Sequence, residues 1–359
     1  MALARRCCMA IALAMLAGSL SAQTRRKVII DEDAAGPGGT NMQAILVMIQ
    51  SPDVEVLGIT VASGDQWRDE ELAHTLRLLE LIGRTDIPVL SGAAFPLVRT
   101  RAETKLWEQR YGKLEYEGAW DDRWYHEPFV IPPLPEGPPT AKPSEEGAVN
   151  FLVRMVHKYP NEVTIYEGAP MTNVALAISV DPKFASLARE LVFMGGSLNP
   201  SSEYTEFAEN PRHEFNFWFD PEAAEIVLRA PWKKMVCTPT DVSLKARLSP
   251  ELVKRIAESK SPAAQYVQRY YQRGFGVDVM WDELAAAAWI DPSLITKTES
   301  RYMGVDLDKG AGYGNTLTTS KENAPKLVGQ PIEIQLDVDA KRFYDMFANL
   351  MEARTPAAP

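Results

Sequence analysis

The sequence predicts an α/β fold: an open, doubly wound, mostly parallel sheet with helices on both faces. Three observations carry this. Short apolar runs alternate with segments of helical periodicity, the helical segments end at turn formers, and acidic residues follow the first strand-like run directly. Strands alternating with helices imply parallel neighbours, and ligands of such sheets bind beyond the carboxyl ends of the strands.

Residues 27–30 form a charge-bounded apolar run, and Thr40 can cap the helical pattern Met42, Ile45, Leu46, Ile49. A second strand covers 54–63. The helix after it places Leu72, Leu76, Leu79 and Ile82 at near-helical spacing and stops at Gly83, before a third strand at 87–90. The alternation continues with strands at 163–166, 191–194 and 234–237, and with helices near 147–158, 172–178 and 221–228. Two stretches interrupt it: residues 95–143, aromatic and then proline-rich, and residues 197–212, polar and rich in turn formers. Loops this long inside a compact domain are expected to be functional lids. There is no internal repeat or domain boundary, so one domain is expected over 23–359.

The first residues have the layout of a secretory leader: Arg5-Arg6, an apolar stretch to Leu20, then the small residues Ser21-Ala22. A signal peptide over 1–22 implies a periplasmic or secreted protein, with no membrane association after cleavage. Cys7 and Cys8 lie in that leader, leaving Cys237 alone in a mature chain, without an intrachain disulfide. With 38 Lys+Arg against 48 Asp+Glu the net charge is −10, which argues against nucleic acid as a partner and leaves small neutral molecules and cations open.

Asp31-Glu32-Asp33 follows the first strand-like run, with Asp31 and Asp33 on one face. Taken alone, this is equally a solvated loop and a hard-cation site, to which Asn41 could add an oxygen. Asp282 opens an alanine-rich helix, where an aspartate by itself reads as a cap. Glu214-Phe215-Asn216 could present a carboxylate and an amide to one pocket, and by itself reads as an exposed strand.

Order and context add more than any single piece. The chain resembles the inosine-uridine nucleoside hydrolase family through Val28-Ile-Ile-Asp31-Glu-Asp33, Ala44-Ile45, Gly58-Ile59-Thr60 with Gly64-Asp65-Gln66, Gly168-Ala-Pro-Met-Thr-Asn173, Met194-Gly-Gly196, Glu214-Phe-Asn216, Asp220-Pro-Glu-Ala-Ala224 and Trp281-Asp282, in the family's order. The resemblance implies that a calcium-bound water cleaves the N-glycosidic bond of a ribonucleoside. It casts Asp33 as calcium ligand and general base, and Asp282, Asn41 and the Gly168 carbonyl as further ligands. It places Glu214, Asn216, Met194 and Asp65 around the ribose, Asn210 with them from the second long loop, and Thr40 where a ribose-contacting aspartate usually stands. It also implies homo-oligomers.

Two departures qualify this. Asp33 is followed by Ala-Ala-Gly-Pro-Gly-Gly-Thr40-Asn41, a few residues longer than the family's acidic loop and without its two later aspartates. That lowers the negative charge available to calcium. Trp281 replaces a histidine of the inosine-uridine branch and matches the purine-preferring branch, in which two rings sandwich the base; Trp107 is the expected opposing ring, with Trp120 and Trp124 behind it. Two rival readings follow from the altered loop: a riboside-binding protein that has lost turnover, and a hydrolase of a different N-riboside.

Overall fold

The computed structural model describes residues 25–200, 204–271, 278–324 and 329–358. The leader expected over 1–22 and its two cysteines lie outside them. Among the described residues no helix is long and apolar enough to cross a membrane.

The strands are β1 (Arg26–Glu32), β2 (Val54–Val61), β3 (Val89–Ser91), β4 (Val163–Glu167), β5 (Glu190–Met194), β6 (Met235–Thr238), β7 (Ile295–Val305), β8 (Thr316–Thr319) and β9 (Ile332–Val338). They form one sheet in the order β3-β2-β1-β4-β5-β6-β9-β7-β8. The pairs from β3 through β6 to β9 are parallel, while β7 pairs antiparallel with both β9 and β8. The expected doubly wound sheet is therefore present, extended by an antiparallel edge.

The reason is visible in the strands. β1 reads RKVIIDE and is buried from Val28 onward, and β4 is buried throughout. Strands covered on both faces carry continuous apolar runs. Two separate apolar clusters lie on the two sides. Val28, Ile30, Ile45, Leu79 and Phe347 belong to one; Ile29, Phe151, Ile165, Phe193 and Ile334 belong to the other. Consecutive β1 residues thus serve opposite cores, as strand alternation requires.

The order β3-β2-β1-β4-β5-β6 reverses direction between β1 and β4. In such sheets this switch point opens a crevice beyond the strand ends. Asp33 follows β1 there, Gly168 follows β4, Gly64 and Asp65 lie just beyond β2, and Met194 ends β5.

Candidate active site

A cavity of about 660 Å³ opens at this switch point, a size that accommodates a small-molecule ligand. Of the residues singled out from the sequence, Asp33, Thr40, Asn41, Asp65, Gly168, Met194, Glu214, Asn216, Trp281 and Asp282 all line it.

Asp33 is held from two sides. Its Oδ2 accepts from the Asp65 main-chain N–H at 3.0 Å, and its Oδ1 accepts from Asn41 Nδ2 at 2.8 Å. The same Asn41 amide donates to Glu32 Oε2 at 2.9 Å and approaches the Gly168 carbonyl at 3.4 Å. Gly64 is tight against the carboxylate: a Cβ there would lie 2.0 Å from Asp33 Oδ2 and 2.8 Å from Pro170 Cδ. We therefore expect Gly64→Ala to displace the Asp33 carboxylate and cost about 1–3 kcal/mol of stability through overpacking. If Asp33 takes part in the reaction, kcat should fall on the order of 10²-fold. Steady-state kinetics beside a thermal melt check this; an unchanged kcat would show that Asp33 does not need this seat.

Asp282 lies in the first turn of the helix Trp281–Ile290. It is not that helix's N-cap: Thr40 Oγ1 accepts from the Asp282 N–H at 2.9 Å and donates to Glu283, so the hydroxyl of Thr40 fixes the turn that carries Asp282 from outside. Thr40 thus lines the cavity with its hydroxyl already committed to positioning Asp282.

Glu214-Phe215-Asn216 is not the exposed strand that its alternation suggests. Glu214 caps the short helix Phe215–Phe219, and its carboxylate accepts from the N–H groups of Gly196 (2.8 Å), Asn216 (2.8 Å) and Phe217 (3.0 Å). A capping side chain competes with strand geometry and fixes the turn locally. Asn216 Nδ2 donates to the carbonyls of Gly168 and Met194, both at 3.2 Å.

The carboxyl groups crowd one another. Burial, then Asp65 and Asp282, push Asp33 well above the usual carboxylate range; burial, then Glu283 and Asp65, do the same to Asp282. Burial raises Asp65 to about 7, against the 2.7 Å hydrogen bond from the Tyr116 hydroxyl and with Glu214 adding to the rise. Asp282 Oδ1 and Glu32 Oε1 are buried without hydrogen-bond partners. Among the described residues, no three His, Cys, Asp or Glu side chains meet in metal-holding geometry. A cation here would rest on two carboxylates, Asp33 and Asp282, supplemented by the neutral oxygens of Gly168 and Asn41. That donor set suits a hard cation, and the orphaned Asp282 Oδ1 is the atom it would satisfy. Asp31, by contrast, belongs to the scaffold: its Oδ1 accepts from Thr60 (2.5 Å) and from Asn173 Nδ2 (2.8 Å).

Two of the expected site residues lie elsewhere. Trp107 does not face the cavity; its indole N–H donates to the Gly310 carbonyl at 2.8 Å and its ring packs on Tyr111. The helix Arg101–Tyr111, which carries it, braces the loop around Gly310. Asn210 is also outside, accepting from Asn315 Nδ2 at 3.2 Å. The long loops do cover the cavity as expected, through other residues: Glu115, Tyr116, Arg123 and Trp124 from the first, and Tyr204, Glu206 and Phe207 from the second. Phe207 meets Trp281 edge to face, with ring centroids 5.9 Å apart. Trp124 is one of the rings expected behind Trp107; for the others no periodic pattern exists, and only their place in overlong loops could have drawn attention to them.

An α/β sheet with a carboxylate-floored cavity at its switch point and aromatic walls defines an enzyme for a small polar molecule. The chain matches the inosine-uridine preferring nucleoside hydrolases over residues 28–345 and belongs to that family. The pyrimidine-specific ribonucleoside hydrolase RihA of Escherichia coli O8 (strain IAI1) is 30% identical over 341 residues, covering 90% of this chain and 98% of RihA. Among solved structures, the plant nucleoside hydrolase PpNRh1 superposes with a TM-score of 0.72 at 24% identity, covering 91% of this chain and 99% of that one. A purine-preferring ribonucleoside hydrolase from Gardnerella vaginalis gives 0.70 at 23% identity, covering 91% and 98%.

Proposed function

We propose that this nucleoside hydrolase is exported, acts on purine ribonucleosides, and uses calcium held by Asp33, Asp282, Asn41 and the Gly168 carbonyl. The carrying observation is the cavity itself: Asp33 and Asp282 on its floor, Glu214 and Asn216 beside them, and Trp281 on the wall against Phe207. Departure of the base from C1′ builds oxocarbenium character on the ribose. Calcium, when bound, would fix ribose hydroxyls and make a water easier to deprotonate.

The chain's own groups supply the rest. Asp33, oriented by Asp65 N–H and Asn41 Nδ2, takes the proton of the water that attacks C1′. Glu214, whose three main-chain donors leave lone pairs available, and Asn216 accept from ribose hydroxyls. Trp281 offers a flat apolar face to the base, and the lid residues exclude bulk water. A purine, the larger base, gains more from such a face than a pyrimidine does.

The relatives point in both directions, one being described as pyrimidine-specific and another as purine-preferring, so the test is a substrate panel. We expect base release from inosine, adenosine and guanosine to exceed release from uridine. Trp281→Ala should lower kcat/KM for purines by about tenfold, a stacking loss of roughly 1–1.5 kcal/mol. Uridine as the preferred substrate would reverse the assignment. The closed Asn41–Asp33–Glu32 network favours a second reading, a riboside-binding protein with a weak cation site; nucleosides that bind without base release would establish it. Export rests on the leader pattern of residues 1–22, and fractionation of cells producing the full chain tests it.

A further inference from the structure

A base leaving C1′ as an anion is a poor leaving group; stacking can raise its basicity, and a proton donor in the cavity completes the activation. No histidine among the described residues lines the cavity. His74 is buried against Glu136, His126 donates to or accepts from Glu70 at 2.8 Å, and His157 pairs with Asp181 at 2.7 Å. His213, only 1% exposed, lies behind Glu206, with its Nε2 3.4 Å from Glu206 Oε1. Most carboxyl groups on the cavity wall are committed: Asp33 and Asp282 to the floor, Glu214 to three N–H donors, Asp65 to the Tyr116 hydroxyl, Glu283 to Thr40, and exposed Asp278 to the Tyr204 hydroxyl. Glu115 is exposed, which leaves Glu206. Its side chain is 23% exposed, opens on the cavity, and precedes Phe207, whose ring touches Trp281.

We propose that Glu206 is the acid that protonates the departing nucleobase. This rests on the nucleoside hydrolase reading and adds the missing half of the proton balance. The Glu206 O–H proton passes to a ring nitrogen of the base, such as N7 of a purine. The C1′–N bond breaks with its electron pair going to the base. Water adds to C1′, losing its proton to Asp33, and solvent restores both carboxyl groups to their starting states. Products are ribose and neutral base.

The electrostatics support this assignment. Burial, then Glu214 and Glu115, raise Glu206 to about 8, so it carries a proton at neutral pH where an ordinary glutamate has none to give. His213 is lowered to about 3 by burial and by Arg99, so it stays neutral and leaves the proton on Glu206. Arg123, the cation among the described lining residues, is paired with Asp121 at 2.5 Å.

The experiment compares inosine with 4-nitrophenyl β-D-ribofuranoside, whose leaving group departs as a stabilised anion and needs no proton. Glu206→Gln should lower kcat/KM for inosine by about 10²–10⁴-fold while nitrophenyl riboside turnover stays near wild type. In the wild type, inosine kcat/KM should fall as pH rises through about 8, with no such limb for the nitrophenyl riboside. This second comparison needs no variant, so poor folding of Glu206→Gln would not remove the test. Equal losses on both substrates, or coincident alkaline limbs, would overturn the role of Glu206. If the wild type cleaves both substrates and the variant is unimpaired, Glu206 is not the acid and the hydrolase reading survives. If the wild type cleaves neither, both fall together.

Discussion

Asp33→Ala should abolish measurable base release from every nucleoside while leaving the fold intact. The side chain sits at the end of β1 with one oxygen on the Asp65 N–H and the other on Asn41. Loss of a general base alone removes about 10²–10⁴-fold, and the same side chain is one of two carboxylates available to the cation. Stability should not suffer in proportion. Burial and the neighbouring acids Asp65 and Asp282 disfavour charge at Asp33, so its removal relieves repulsion. Far-UV circular dichroism and a thermal melt would show a folded protein beside a dead enzyme. Residual activity within tenfold of wild type would mean that another group takes the water's proton.

Chelation should produce the second large effect. With two carboxylates and two neutral oxygens, the proposed site carries less charge than an all-carboxylate one, so its calcium affinity should be modest and activity should vanish readily in chelator. Calcium at about 100 times its dissociation constant should stabilise the fold by roughly 2.7 kcal/mol, and by nothing in Asp282→Ala if binding is lost there. Asn41→Asp sharpens the test. The amide now donates to Glu32 and Asp33; a carboxylate in its place would oppose both, lowering stability in chelator and raising calcium affinity by about tenfold or more, some 1.4 kcal/mol. Isothermal titration and melts with and without calcium read both signs. A variant no less stable in chelator and no tighter for calcium would place the cation elsewhere.

The core strands were legible because burial on both faces demands continuous apolar runs such as Val28-Ile29-Ile30, and no other element tolerates them in so short a span. The floor of the site was legible for a related reason: residues immediately after strands must lie at the sheet's carboxyl edge, so Asp33 and Gly168 could be placed from sequence position. Glu214 was found but its setting was misread, since alternation of polar and aromatic residues looks the same in a strand and in a capped single turn. Trp107 failed for another reason. An aromatic residue in a long loop gives no sign of which way it faces, and this one turns to the Gly310 carbonyl.

What the sequence determined, through its order of motifs and their resemblance to a known family, is which residues stand on the floor: Asp33 and Asp282, Gly168, Asn41 and Trp281. Strand ends and helix starts fix the position of these residues along the chain within a few residues, while their roles rest on the resemblance. What only the tertiary structure decided is the walls. Tyr116, Trp124, Glu206 and Phe207 reach the cavity through loops whose paths depend on long-range packing, and the unusual proton affinity of Glu206 arises from burial beside Glu214 and Glu115, neighbours that no local pattern brings together.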